Sequence, residues 1–153
     1  MSSDIIVFGI ILSILFYEFT EISPGGLIVP AYISFYINTP NKVILTLIVS
    51  FITYLIVLWL SNKIIIYGRR KFAIYIIITF IVKEIFSLIS PVALEYNMFL
   101  LSGNIIGILI PALIARDIER NGTIKTFCSL IILSIFIKSI IELYYQIGGI
   151  LWK

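Results

Sequence analysis

The sequence contains no histidine. Imidazole general bases and His-ligated metal centres are therefore excluded. Its single cysteine, Cys128, allows neither an internal disulfide nor a thiolate cluster. Cys128 lies in an apolar run and reads as a small buried hydrophobe. Nucleotide-binding loops are missing as well: no GxxxxGKS, GxxxxGKT or GxGxxG occurs, and no serine nucleophile elbow. Charge is scarce. Only 12% of the 153 residues are Asp, Glu, Lys or Arg, and 61% are hydrophobic. Ordinary soluble domains carry about 25% charged and about 45–50% apolar residues. So few polar side chains cannot cover a soluble fold of this size. That excludes a cytosolic enzyme domain, a disordered tail and a secreted disulfide scaffold.

What is present is a series of long apolar runs, which indicates an all-α integral membrane protein with one transmembrane domain, 1–153. The net charge is +3, from 11 basic and 8 acidic residues. These basic residues punctuate the apolar runs, as membrane flanks do; a nucleic-acid binder would gather them in a stripe. Residues 5–17 are apolar and end at Glu18. The start carries Asp4 and no Lys or Arg, so this reads as an uncleaved first helix and not a secretory signal. Turn formers follow from Thr20 to Gly26, around Ser23-Pro24. A short apolar segment with Pro30 inside it leads to a turn at Asn38-Thr39-Pro40-Asn41. Residues 43–60 predict a helix ending near Trp59, a residue suited to a membrane interface. Residues 61–71 hold the densest basic cluster, Lys63, Arg69, Arg70 and Lys71. The run 72–89 carries Lys83 and Glu84 and is expected to break at Ser90-Pro91. The run 98–115 is interrupted by Gly103, Gly107 and Pro111, and 116–122 reads as a polar loop. Residues 124–147 predict a last long helix with Lys138 and Glu142. A hydrocarbon core of about 30 Å needs about 20 helical residues, which the longer runs supply. Continuous apolarity argues against barrel strands, which alternate with period two.

The chain repeats itself. GLIVPAYI at 26–33 is matched by GILIPALI at 107–114. Each is followed by a polar turn and a long helix, and each is preceded by a helix stopping at a Ser-Pro pair. Two halves of about 1–62 and 68–148 result, each helix, broken segment, helix. If both broken segments cross the membrane, there are six crossings and the halves are inverted; if they are re-entrant, there are four and the halves run parallel. Positive-inside counting favours six. The loops at 61–71 and 116–122 then share a cytoplasmic face with Lys63, Arg69, Arg70, Lys71, Arg116 and Arg120, and both termini lie outside. Inverted repeats with Pro/Gly interruptions characterise transporter-like folds whose breaks line a central site. Backbone groups freed at Pro30 and Pro111 must be satisfied inside the protein, which places the breaks together in the interior.

A charge at a membrane helix centre costs about 2.5–3.5 kcal/mol. Lys138 and Glu142 are i, i+4 and share a helix face; mutual neutralisation or snorkelling is the plain reading, a functional pair the alternative. Lys83 and Glu84 are adjacent and point apart, so each needs a partner elsewhere; Lys83 with Glu142 and Glu84 with Lys138 is one arrangement. Glu18 and Glu21 bracket the end of the first helix. They are either a hydrated helix end or an acidic group at the mouth of the breaks. The 67–73 stretch is either an ordinary topology signal or an attractor for a polyanion, an anionic lipid or an acidic partner.

At these residues the chain resembles the PgsC/CapC membrane subunits of bacterial poly-γ-glutamate synthase. The matching elements are Glu18-x-Thr20, Pro24-x-Gly26-Leu27-Ile28-Val29-Pro30 with Tyr32, and Leu55-Ile56-Val57. YGRRKFA at 67–73, GILIPALIA at 107–115 and Tyr144-Tyr145 also match. The order of the runs agrees along essentially the whole chain. Departures are local: the family often has a basic residue where Phe19 stands and a Gly where Glu21 stands. The resemblance implies a multi-pass subunit of the bacterial plasma membrane in a capsule-polymer complex that joins glutamate through γ-carboxyl amide bonds. A PgsB/CapB-like ligase would supply ATP and divalent-metal chemistry, and a PgsA/CapA-like membrane-anchored subunit export or assembly. This chain would bind no cofactor or metal itself, supply no catalytic residue and act as anchor and assistant, with a homo-oligomer possible. The polymer carries about one carboxylate per residue, ionised well below neutral pH. Arg69, Arg70, Lys71, Arg116, Arg120 and Glu18 are the expected contacts for polymer or partner. Pro24, Gly26, Pro30, Gly107 and Pro111 are the structural breaks. The half-helix starts after Gly26 and Gly107 would offer N–H groups to carboxylates. A small oligomeric secondary transporter and a purely structural anchor are the alternatives.

Overall fold

A computed structural model of the chain describes residues 2–63, 68–95 and 106–151, leaving aside the side chains of 2–5, 69, 89–95, 145 and 147–151. Tyr67 and Gly103 fall outside the described residues, as do the side chains of Arg69 and Tyr145. The described residues form six helices: α1 Ser2–Thr20, α2 Val29–Tyr36, α3 Pro40–Ser61, α4 Arg69–Glu95, α5 Leu109–Asn121 and α6 Thr123–Leu151. Among the described residues two stretches are long and apolar enough to cross a membrane, Pro40–Ser61 and Thr123–Tyr144. At 1.5 Å per residue, the 22 residues of α3 reach about 33 Å, whereas the 8 of α2 reach about 12 Å.

Pro30 and Pro111 begin helices where the sequence suggested that they break them, as the second residue of α2 and the third of α5, and Pro40, expected in a turn, is the first residue of α3. In a first turn the missing N–H has no intrahelical acceptor to lose, and the fixed φ suits a helix. The interruption lies instead just upstream, at 21–28 and 106–108, where Gly25, Gly26 and Gly107 take φ of 81°, 89° and 61°. Two further expectations are corrected. Ser90-Pro91 does not end α4, whose backbone stays helical to Glu95; an interior proline removes one hydrogen bond and can kink a helix without stopping it. The stretch 116–121 is not a loop but the polar end of α5. Arg, Asp, Glu and Asn each disfavour a helix by well under 1 kcal/mol, so helix continues until Gly122, at φ 90°, closes it with a bond to Ile118 O.

Helix α5 is the hub. Ile110, Ile114 and Ile118, four residues apart, bury one stripe against Val29 and Ile33 of α2 and Leu130 of α6. Ala112 and Ala115 turn another face to Val49 and Val57 of α3 and to Tyr75, Ile78 and Val82 of α4. The packing pattern is unchanged when the two halves are exchanged. α1 packs on α2 as α4 does on α5; α2 packs on α6 as α5 does on α3; α1 packs on α6 as α4 does on α3. The two middle helices touch each other. Buried hydroxyls fit this apolar setting by bonding back into their own helices, Ser13 to Gly9 O, Ser50 to Thr46 O and Ser134 to Leu130 O. Outward faces are apolar: Ile77, Phe80, Ile81, Ile132 and Phe136 are exposed, as a lipid-facing surface would be. Cys128 is exposed, not buried as its apolar surroundings suggested; it falls on the outward face of α6, opposite the stripe of Leu130 and Ile137.

Candidate functional site

A polar cluster forms where the turn after α1 meets the end of α5. The Ser23 hydroxyl donates to Asp117 Oδ2. The Gly26 N–H points at the Ser23 oxygen (3.2 Å) and at the Asp117 carboxylate. Asn121 Nδ2 donates to Ser23 O at 3.0 Å. Thr126 of α6 donates to Asp117 O at 3.2 Å. Asp117 and Asn121 are one helical turn apart, so both face the turn. The positive φ of Gly25 and Gly26 lets the backbone fold back onto them. Asp117 is only 8% exposed. Burial pushes its carboxyl above the ordinary value of 3.8, and Ser23, Gly26, Arg116 and Arg120 pull it partly back.

Beside this cluster a second set of contacts ties α5 to the start of α4. Lys71 Nζ ion-pairs with Glu119 Oε1, and the Tyr75 hydroxyl donates to Glu119 Oε2 at 2.9 Å. The Arg116 guanidinium lies 5.4 Å from the Phe72 ring centroid. Arg70, Arg116, Arg120 and Lys125 are exposed at this end. Lys63, at the end of α3, stacks over Trp59 at 4.4 Å.

Several residues marked by the sequence thus meet here: Lys71, Arg116, Arg120, Pro24 and Gly26. The side chain of Arg69 is outside the described set. Glu18 is exposed near the end of α1. The Gly26 N–H is not offered to an external carboxylate, because Ser23 and Asp117 take it. Pro30 and Pro111 are buried, and Val29, Ile33, Ile110 and Ile114 fill the space between α2 and α5. Lys138 donates to Asn38 at 2.5 Å and lies 3.7 Å from Glu142. The cross-pairing of Lys83 with Glu142 and Glu84 with Lys138 does not form, since α4 and α6 do not pack together among the described residues. Lys83 is half-buried and Glu84 exposed on α4.

Sequence reasoning missed Asp117, Glu119, Asn121 and Tyr75. The signal for two of them was present. Extending the stripe of Ile110, Ile114 and Ile118 through the polar stretch places Asp117 and Asn121 on the buried face. Among the described residues no group of three or more metal-ligating side chains gathers.

The chain matches the family model described as capsule biosynthesis CapC over residues 8–127. The PGA biosynthesis protein CapC of Bacillus subtilis (strain 168) is 39% identical over 143 residues, covering 93% of this chain and 94% of its own length. The capsule biosynthesis protein CapC of Bacillus anthracis is 38% identical over 141 residues, covering 92% and 93%. No solved structure matches significantly. With a family model spanning most of its length and relatives of nearly equal length at this identity, the chain belongs to the CapC family of capsule biosynthesis proteins.

Proposed function

We propose that this chain is a multi-pass membrane subunit of the machinery that makes a poly-γ-glutamate capsule. Its six helical elements alternate in direction as two inverted halves, and its polar end receives the ATP-using ligase or the nascent polyanion. The exchange symmetry of the packing supports two equivalent halves, and the gathering of the turn after α1, the start of α4 and the end of α5 at one end supports their inversion. Asn38, Lys42 and Lys138 then lie at the other.

The observation that carries the functional reading is the Lys71–Glu119 pair. It joins the two basic stretches, so that Arg70, Arg116, Arg120 and Lys125 present one cationic surface. Such a surface attracts an acidic partner or a polymer bearing one carboxylate per residue. Apolar side chains fill the interior between α2 and α5, so passage of the polyanion is assigned to a boundary with another subunit, not to the middle of one copy. ATP and metal chemistry are assigned to the ligase.

The test is charge reversal, Arg70→Glu with Arg116→Glu, in membranes containing the ligase subunit, ATP and glutamate. Polymer yield should collapse while the amount of this protein in the membrane stays the same. Unchanged yield overturns the assignment of this surface.

A further inference from the structure

The end of the molecule opposite the Ser23–Asp117 cluster carries a second feature. Two open grooves, of about 170 and about 340 Å³, meet at Phe35 of α2. The larger is lined by Ile6, Tyr32, Phe35 and Tyr36 and is therefore apolar and aromatic. The smaller is rimmed by Lys138 and Glu142. Lys138 is held toward the rim by Asn38, at 2.5 Å, and only loosely by Glu142, at 3.7 Å. A second ammonium, Lys42, hangs over the ring of Tyr36 at 5.4 Å from its centroid. Two cations and one carboxylate thus edge a hydrophobic trough, and Tyr32 and Tyr36 stand at its wall.

We propose that this groove binds an anionic phospholipid, its headgroup phosphate between Lys138 and Lys42 and an acyl chain along Ile6, Tyr32, Phe35 and Tyr36. The proposal rests on the membrane-spanning reading above. Three features choose the occupant. The rim has a net charge of +1, which favours an anion over a zwitterion. An ammonium has three donors; Asn38 accepts one from Lys138, and Glu142 at 3.7 Å is an ion-pair contact beyond hydrogen-bond reach, so Lys138 keeps donors for a phosphate oxygen. The floor is apolar, which suits an acyl chain and offers nothing to a polymer whose every residue is ionised. Tyrosines at such a level also match the aromatic belts of membrane interfaces.

The test uses the purified full chain in detergent and native mass spectrometry, with phosphatidylglycerol or phosphatidylcholine of identical acyl chains. Phosphatidylglycerol should be retained in preference. Replacing both lysines, Lys42→Ala with Lys138→Ala, should weaken its retention by roughly fivefold for each lysine and weaken phosphatidylcholine, whose phosphate charge is offset by choline, by clearly less. Ile6→Trp, which fills the trough without altering charge, should weaken both lipids; circular dichroism confirms that each variant is folded. Equal retention of the two lipids by the wild-type chain overturns the proposal and needs no variant. Displacement of phosphatidylglycerol by a γ-glutamate oligomer also overturns it, in favour of a polymer site, and displacement by inorganic phosphate overturns the role of the acyl chain. Alkaline extraction of membranes separates the two levels of failure. A chain that is extracted refutes the spanning reading and this site with it; a chain that stays but shows no lipid preference refutes the site alone.

Discussion

Replacing Asp117 by alanine removes the acceptor for Ser23 and one of two acceptors for the Gly26 N–H. A hydrogen bond to a charged group contributes about 1.5–3 kcal/mol. Gly26 keeps Ser23 as an acceptor, and losing a buried carboxylate relieves its desolvation. The net loss is therefore about 2 kcal/mol, and for a chain of this size the midpoint should fall by about 4–8 °C. Asp117→Asn keeps the shape and one acceptor oxygen, so its loss should stay near 1 kcal/mol or below. Thermal unfolding followed by circular dichroism in detergent reads both. The pH dependence carries the sign. Burial raises the folded-state carboxyl above its ordinary 3.8. Between those two values the native state holds a proton that the unfolded state has released. Stability in that window therefore falls as pH rises, and the contribution is fully present only below about 3.8. Asp117→Asn should flatten this part of the profile. An alanine variant as stable as the wild type would refute the latch between the two halves, and an Asp117→Asn profile parallel to the wild type's through this window would refute the raised carboxyl.

Other substitutions test separate parts of the account. Glu21 has φ 55° and closes α1 with a bond to Tyr17 O, a place where Gly is the usual residue; Glu21→Gly should raise stability by about 0.5–1 kcal/mol in the same melting assay. Gly9 leaves no room for a Cβ against Ala31, so Gly9→Ala should destabilise by about 1–3 kcal/mol and Ala31→Gly in the same chain should restore much of it. Tyr75→Phe removes the bond to Glu119 and should lower stability by about 1 kcal/mol. Exchanging the partners, Lys71→Glu with Glu119→Lys, should keep polymer yield closer to wild type than Lys71→Glu alone.

Much of the architecture was legible because period, length and charge placement are local properties. The apolar runs gave α1, α3, α4 and α6, and the repeated Gly-x-x-x-Pro-Ala unit marked the starts of α2 and α5. Helix limits were less so. Proline at 30, 91 and 111 reads as a breaker, yet its effect depends on position: harmless in a first turn, tolerated inside α4. The stretch 116–122 reads as a loop when polarity is weighted above period, and only Gly122 lies outside α5. The buried contacts of Asp117 could not be foreseen, since Ser23 and Asp117 are 94 positions apart and only the docking of one half on the other joins them. The pairing of Lys71 with Glu119, 48 positions apart, is hidden for the same reason, although charge counting assigns both basic stretches to one face. The i, i+4 pairing of Lys138 with Glu142 is local and legible, and it forms at 3.7 Å; the bond from Lys138 to Asn38, 100 positions away, is set by packing.

The central claim is that the two halves are inverted, with both basic stretches emerging on one side. Single cysteines placed at 70 and 120, and at 38 as the opposite control, in a chain carrying Cys128→Ser, measure it with a membrane-impermeant thiol reagent on intact cells and on inside-out vesicles. Cysteines at 70 and 120 should react only in inside-out vesicles, and the one at 38 only in intact cells. Labelling of 70 and 120 from opposite sides would contradict the account.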